Sequence, residues 1–521
     1  MELPPSLEAE EVRPVDSLHR RYFYKLATGF VGLGLNVVIQ AIIPRGLGPR
    51  IYGDFSFLSN FFTRLVAFFD TGTSIAFYVK LSQRPRESSL VTFYGYFVGI
   101  VSLLIACLLA VCQVTGIWVH IWPGQALGFV YLAAIWGLLS WLVKLFTMMA
   151  DAYGLTVQSS MASMAQKVVA LALIAFLFVS NWLWLTTFFL YHYIIMGFFL
   201  VVVALLLRHR GHGIGWQKKL SVSEVRSYLR EFFDYSHPLF LYALVGLVAG
   251  LLDRWFLQVF GGSVQQGFFG LSYQIGALCF LFSSAMTPLL TREFAIAFES
   301  RDLPQIANLF KRYIPLFYAM AAYFACFLAM QADKVIYLMG GKNFQAAQLA
   351  LTVMVFYPIH QTYGQLSGSV FWAIGDTVRF RNIGITCTLL GLPLSYVLLA
   401  PGSMLGLDAG ATGLALKMVL LQILTVNVQL YYNTRLLGLR FWSFVSHQVV
   451  SVACFLATAL LATFLVDHLI SLPAGVTIRF LLAGVIYTCL VTVLIFWQPR
   501  LLGLSWEDLQ ALRRQLLKFK K

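Results

Sequence analysis

The chain has 521 residues, of which 59% are hydrophobic and only 11% charged. That balance excludes a soluble globular protein, because folded soluble domains carry about a quarter of their residues as charges. The net charge of +15 would point to nucleic acid in a soluble protein, but here it falls on one side of a series of apolar spans, which excludes nucleic acid as the partner.

About fourteen apolar stretches reach the roughly 20 residues that a helix needs to cross a bilayer. In chain order they are expected near residues 22–43, 55–79, 89–112, 126–148, 158–179, 183–207, 237–259, 264–290, 312–332, 345–371, 382–400, 409–433, 444–466 and 476–497. Backbone polar groups must be satisfied inside lipid, so these are helices unless they line water. The fold class expected is an all-α integral membrane protein. Cys107, Cys112, Cys279, Cys326, Cys387, Cys454 and Cys489 all lie in spans without metal-ligand spacing or a disulfide framework. The first twenty residues lack the short apolar core of a cleavable signal peptide, so the first span is expected to direct insertion.

With the N-terminus inside, about 26 of the 37 basic residues fall in cytoplasmic segments and about 4 (Arg45, Arg50, Lys334 and Lys342) outside, as the positive-inside rule demands. Both termini are thus expected in the cytoplasm. External loops are short. The longest inner connection, 208–236, carries apolar positions 222, 225, 229, 232 and 233 at helical spacing, which predicts an amphipathic helix on the inner interface. A second interfacial helix is expected in the basic tail, 498–521, opened by a capping box at Ser505-Trp506-Glu507-Asp508.

Two segments repeat. Gly48, Gly53 and Phe55, between the first and second spans, match Gly262, Gly267 and Phe269, between the seventh and eighth, at one fixed offset. Each block has six spans, so the repeats share one orientation and are related by an axis along the membrane normal. This gives an N-lobe at 1–207, the linker, a C-lobe at 237–433, two added helices within 444–497, and the tail.

The run Arg45-Gly46-Leu47-Gly48-Pro49-Arg50-Ile51-Tyr52-Gly53-Asp54-Phe55-Ser56, with Asp253-Arg254-Trp255-Phe256-Leu257 and Gly267-Phe268-Phe269, resembles the polysaccharide transporters (Wzx-type flippases) of the MOP exporter superfamily. Phe269 stands where members often carry Tyr, and Gln266 where a small aliphatic residue is common. The resemblance implies a V-shaped pair of six-helix lobes around a cationic cavity, moving a polyprenyl-pyrophosphate-linked oligosaccharide from the inner to the outer leaflet. It also implies a bacterial or archaeal inner membrane, membrane lipids as partners, and polysaccharide polymerase machinery as a possible one. A diphosphate and a glycan cannot cross about 30 Å of hydrocarbon unaided, whereas the prenyl tail stays in lipid.

Charges inside spans cost roughly 2.5 to 3.5 kcal/mol each even on insertion scales, so they mark functional candidates. Arg64, Lys167, Arg254 and Lys417 are the candidates for the diphosphate or an anionic glycan, because arginine offers a planar fork of donors to phosphate. Pairing with a carboxylate or snorkelling to headgroups is the competing reading. Asp70 and Asp253 are candidates for proton or sodium coupling, with Asp253 sharing a helical face with Gly246 and Gly250, a pair suited to close helix packing. His360, Gln361, Tyr363 and Gln365 are candidates for sugar contacts, against the alternative of hydrogen bonding between helices. No phosphate loop, zinc motif or nucleophile elbow occurs, so neither ATP hydrolysis nor any cofactor is expected. Two other readings remain open: a MATE-like cation-coupled exporter of small organic molecules, which predicts an acidic cavity, and a membrane glycan polymerase or ligase, which predicts a large external loop.

Overall fold

The computed structural model describes residues 18–85, 87–212, 220–469 and 475–503. Among these, seventeen α-helices and no strand occur. They are α1 (Leu18–Asp70), α2 (Thr73–Gln83), α3 (Ser88–Thr115), α4 (Trp118–Ile121), α5 (Leu127–Ala152), α6 (Thr156–Val179), α7 (Leu185–His209), α8 (Val222–Ala277) and α9 (Leu281–Glu299). The series continues with α10 (Leu303–Met330), α11 (Ala332–Gly340), α12 (Gln348–Met354), α13 (Phe356–Ile374), α14 (Thr377–Leu399), α15 (Gly410–Leu436), α16 (Phe441–Phe464) and α17 (Val476–Trp497).

Ten helices among the described residues are long and apolar enough to cross a membrane, so this is a multi-pass membrane protein. The number differs from the fourteen spans expected for physical reasons visible in the backbone. Helix α1 holds the first expected span and most of the second, in two helical segments that meet at Gly48 (φ 72°, ψ 170°), with Pro44 and Pro49 beside it. Helix α8 is likewise two segments meeting at Gly262 (φ 70°, ψ −173°), so the seventh and eighth spans read as one apolar run, 240–280. The tenth is divided into α12 and α13, and its polar side chains keep it below membrane hydropathy. The capping box at Ser505 and the tail beyond it lie outside the described residues.

The chain divides into two compact units, the first holding Met1–Ile42, Phe61–Trp118 and Ala126–Phe240, the second Ile43–Asn60, Val119–Gln125 and Leu241–Lys521. Because lipid is as apolar as a leucine side chain, helices within each unit are held by van der Waals fit and hydrogen bonds. In the first unit, α7 packs on α5 and α6. Gly137 of α5 lets that helix close on α1, where an added Cβ would lie 2.9 Å from the Cβ of Phe62. In the second unit, α13 packs against α9, α10 and α15, with Tyr363, Leu366 and Val370 fully buried, while α16 lies on α10 and α17 on α16.

The connection at 208–236 departs from expectation in one respect. Its helix starts at Val222, closed by a reciprocal pair in which Glu224 accepts from the Ser221 amide (2.8 Å) and Ser221 Oγ accepts from the Glu224 amide (3.2 Å). That helix is α8 itself, which continues with no break until Gly262. Tyr228 and Phe232 are its buried residues; both rings lie tilted against Phe93, and Phe232 also against Tyr94, on α3. Lys80 pairs with Glu231, and Tyr228 donates to Glu87. Val222, Leu229 and Phe233, three of the five apolar positions read from the sequence, are exposed.

Candidate functional site

In the first unit the chain turns sharply after α1, with Thr71 (φ 31°) and Gly72 (φ 83°) both in the left-handed region. The buried Asp70 side chain organises that turn. Its Oδ1 accepts from the Ser74 amide (2.8 Å) and Thr73 Oγ1 (3.0 Å), and its Oδ2 from Lys144 Nζ (2.9 Å). The Tyr94 hydroxyl lies 2.9 Å from Thr73 Oγ1, and Trp141 Nε1 donates to Ser74 Oγ (3.1 Å). Asp70 therefore caps α2 and neutralises Lys144 of α5.

Lys167, midway along α6, stands at a cavity of about 240 Å³. Its other polar walls are Thr147 and Asp151 of α5, and Ser159, Ser160, Ser163 and Gln166 of α6. The ammonium of Lys167 rests against the α1 backbone at Gly32, where a Cβ would sit 2.3 Å from Nζ. Lys167 makes no ion pair among the described residues. The cavity thus offers one ammonium for a phosphate oxygen, with hydroxyls and a carboxylate that can serve sugar hydroxyls. Arg64 is half-buried on α1 in the same unit. The serines escaped the sequence reading, although Ser159, Ser160, Ser163 and Lys167 follow one another at the spacing of a single helical face.

In the second unit the two repeated segments meet. A Cβ on Gly53 would lie 1.7 Å from the Ser263 carbonyl oxygen, and one on Gly267 would lie 2.1 Å from that of Pro49. Under the repeat offset Pro49 corresponds to Ser263 and Gly53 to Gly267, so the contact is reciprocal, as a local two-fold relation requires. Asp54, which sequence reasoning left without a role, bonds Gln125 Nε2 (2.7 Å) and the Ser263 hydroxyl. Gln258 Nε2 donates to Ser263 Oγ and to the Pro123 carbonyl, both at 3.1 Å.

Asp253 accepts from Lys417 Nζ (2.6 Å) and Ser395 Oγ (2.6 Å), with the lysine and aspartate side chains 7% and 16% exposed. Gly391 of α14 makes room for this lysine, since a Cβ there would lie 2.9 Å from its Cε. A Cβ on Gly246 would meet nothing within 4 Å, so the close packing expected at that glycine is not made.

Arg254 is buried, its Nη1 donating to Gln266 Oε1 (2.8 Å) and its guanidinium centred 4.2 Å from the ring centroid of Phe269. Gln266 Nε2 returns a bond to the Arg254 carbonyl (2.5 Å). The two residues that depart from the resemblance, Gln266 and Phe269, thus both hold this arginine. On α13, His360 and Tyr363 are buried edge-on to Tyr318, at 5.7 and 5.4 Å between ring centroids, while Gln361 and Gln365 are half-buried. Ser367 accepts twice from Asn433 Nδ2 of α15 (2.7 and 2.9 Å), a bond between helices.

The family profile described as "Polysaccharide biosynthesis protein" matches residues 18–292. The chain belongs to that family. The match spans both repeated segments, Asp253-Arg254 and the Lys167 cavity, and it bears out the resemblance drawn from the motifs. No curated protein matches. Among solved structures, the family member is similar to the lipid II flippase MurJ in an inward closed conformation, with a TM-score of 0.64 and 11% identity over 91% of this chain and 99% of that one. An inward-facing multidrug resistance MATE transporter of the MOP superfamily gives 0.62 and 14% identity over 78% and 94%. A MOP superfamily transporter from Pyrococcus furiosus gives 0.53 and 13% identity over 81% and 95%. At these identities the likeness is one of fold, and the fold is that of transporters and flippases.

Proposed function

We propose that this protein is a flippase, carrying polyprenyl-pyrophosphate-linked oligosaccharide from the inner to the outer leaflet for an exported or surface polysaccharide. The family match over 18–292 is the observation that carries the reading. The Lys167 cavity supports it with suitable chemistry: Asp151 and Ser159 lie near the end of α5 and the start of α6, the ends that basic-residue bias assigns to the cytoplasm, and Lys167 lies near mid-span. A diphosphate loaded from the inner leaflet meets Lys167 while its sugars meet the serines and Asp151. Turnover proceeds by alternating access, driven by a proton or sodium gradient, with lobes at 1–207 and 237–433 and the helices within 444–497 as an addition. The membrane is a cell's inner membrane with both termini cytoplasmic, and the flipped product passes to polymerase machinery.

Arg254, Lys417 and Asp253 hold one another's neighbourhood together in this reading, and Lys167 with Arg64 takes the anionic head. On α13, Tyr363 and His360 contribute packing within the second unit, and Gln361 and Gln365 are half-buried beside them. Export of small organic molecules is the second reading, favoured by the similarity in fold to MATE transporters. Binding to purified protein separates the two: a polyprenyl-pyrophosphate oligosaccharide is expected to bind the wild type, to bind Lys167→Gln more weakly, and to resist competition by lipophilic organic cations. Tight binding of the organic cations with none of the lipid-linked glycan would transfer the assignment to an exporter.

A further inference from the structure

Basic residues are scarce on the face that charge bias places outside: Arg45, Arg50, Lys334 and Lys342, with Arg479 at the edge of the last span. The second unit gathers three of these five around one cavity of about 480 Å³, walled by Lys334, Tyr337, Lys342 and Arg479 together with Asp333 and Gln345. A fourth braces its wall, since Arg45 Nη2 donates to the carbonyls of Tyr337 (3.1 Å) and Leu338 (2.8 Å) in the last turn of α11. Selection for topology alone disperses or removes external cations, so their concentration at one cavity asks for a ligand.

The charge arrangement says which kind. Lys334 is held by Asp467, 3.3 Å from both carboxylate oxygens. Lys342 and Arg479 are exposed and form no ion pair among the described residues. An arginine fork and a mobile ammonium facing one cavity suit a phosphate group. Depth says how it arrives. Arg479 and Lys334 lie in the first turns of α17 and α11, at the membrane border, and Val476, Ile478 and Leu481 beside Arg479 are exposed apolar residues on a lipid-facing helix. A phosphate carried on a lipid places its head in the cavity and its chain along that face.

We propose that this external cavity binds the phosphate or diphosphate headgroup of an outer-leaflet lipid, through Lys342 and Arg479. Resting on the flippase reading and the orientation it assumes, the cavity is where the translocated head is received before release. The test is binding to the full chain in nanodiscs, with polyprenyl diphosphate, phosphatidylglycerol, phosphatidylcholine and inorganic pyrophosphate as separate probes. Polyprenyl diphosphate is expected to bind best, and Lys342→Gln with Arg479→Gln to lose about tenfold or more, because each bond to a charged group is worth that much. All variants are compared in a Lys167→Gln background, so that the separate cationic cavity of the first unit does not contribute to the binding measured. Equal binding of phosphatidylglycerol would keep the lipid phosphate site and refute its role in receiving the translocated head. Pyrophosphate binding as well as the lipids would refute a lipid occupant, and unchanged binding in the double variant would overturn the site altogether. If the wild type binds the lipid here yet moves no lipid-linked glycan, the flippase reading fails while the site stands.

Discussion

Removing Lys417 should unfold the second unit's helix packing, and the structure gives the size. Asp253 and Lys417 form an ion pair at 2.6 Å with the two side chains 7% and 16% exposed. Removing one partner of such a buried pair leaves an uncompensated charge and costs about 3–5 kcal/mol, whereas replacing both by neutral groups of similar volume is often neutral or stabilising. Lys417→Met leaves Asp253 with Ser395 alone, so it should lower the melting temperature in detergent by many degrees; Asp253→Asn should do likewise by stranding the lysine. The double variant should recover most of the loss. Coupling in a double-mutant cycle is the quantity to report. If Lys417→Met melts with the wild type, the pair is not the structural clamp inferred here and both charges return to the list of transport groups.

Other outcomes follow from particular contacts. Gly53→Ala and Gly267→Ala each drive a methyl into a backbone carbonyl, so each should cost about 3 kcal/mol or more, the upper end for overpacking, read as lost folded yield; Gly34→Ala, with open space around it, is the control. Gln266→Ala strips a buried guanidinium of a bond and should cost about 1.5–3 kcal/mol in thermal stability, with Gln266→Glu recovering it. Burial, and then its bond to Glu87, push the Tyr228 phenol up to about 12 from the ordinary 10. The native protein therefore holds that proton more tightly than the unfolded chain. Its stabilising contribution is complete below about pH 10 and lost as pH rises toward 12, which hydrogen exchange over residues 222–234 should register and Tyr228→Phe should abolish.

What could be read from the sequence depended on whether a signal was local. The glycines at 48 and 262 announced themselves by repetition, and both adopt the positive φ that only glycine takes without strain. That Gly53 and Gly267 receive the opposite segment's carbonyls was not legible, because it depends on two segments two hundred residues apart meeting reciprocally. Asp70 stood out as a coupling candidate when taken alone; that α5 brings Lys144 to it was not legible, because the two lie seventy-four residues apart. Gln266 and Phe269 appeared as departures from a motif, and become intelligible only as the bed of Arg254. The serines beside Lys167 were within reach, since their spacing marks one face of α6.

Flipping by this protein is read as outward movement of a labelled polyprenyl-pyrophosphate oligosaccharide in proteoliposomes, followed with an impermeant lectin. Movement by the wild type is expected to depend on an ion gradient, to be lost in Lys167→Gln, and to persist in a folded Asp253→Asn, Lys417→Met variant. A wild type that leaves every lipid-linked glycan inside, or a Lys167→Gln variant that flips at the wild-type rate, would contradict this expectation.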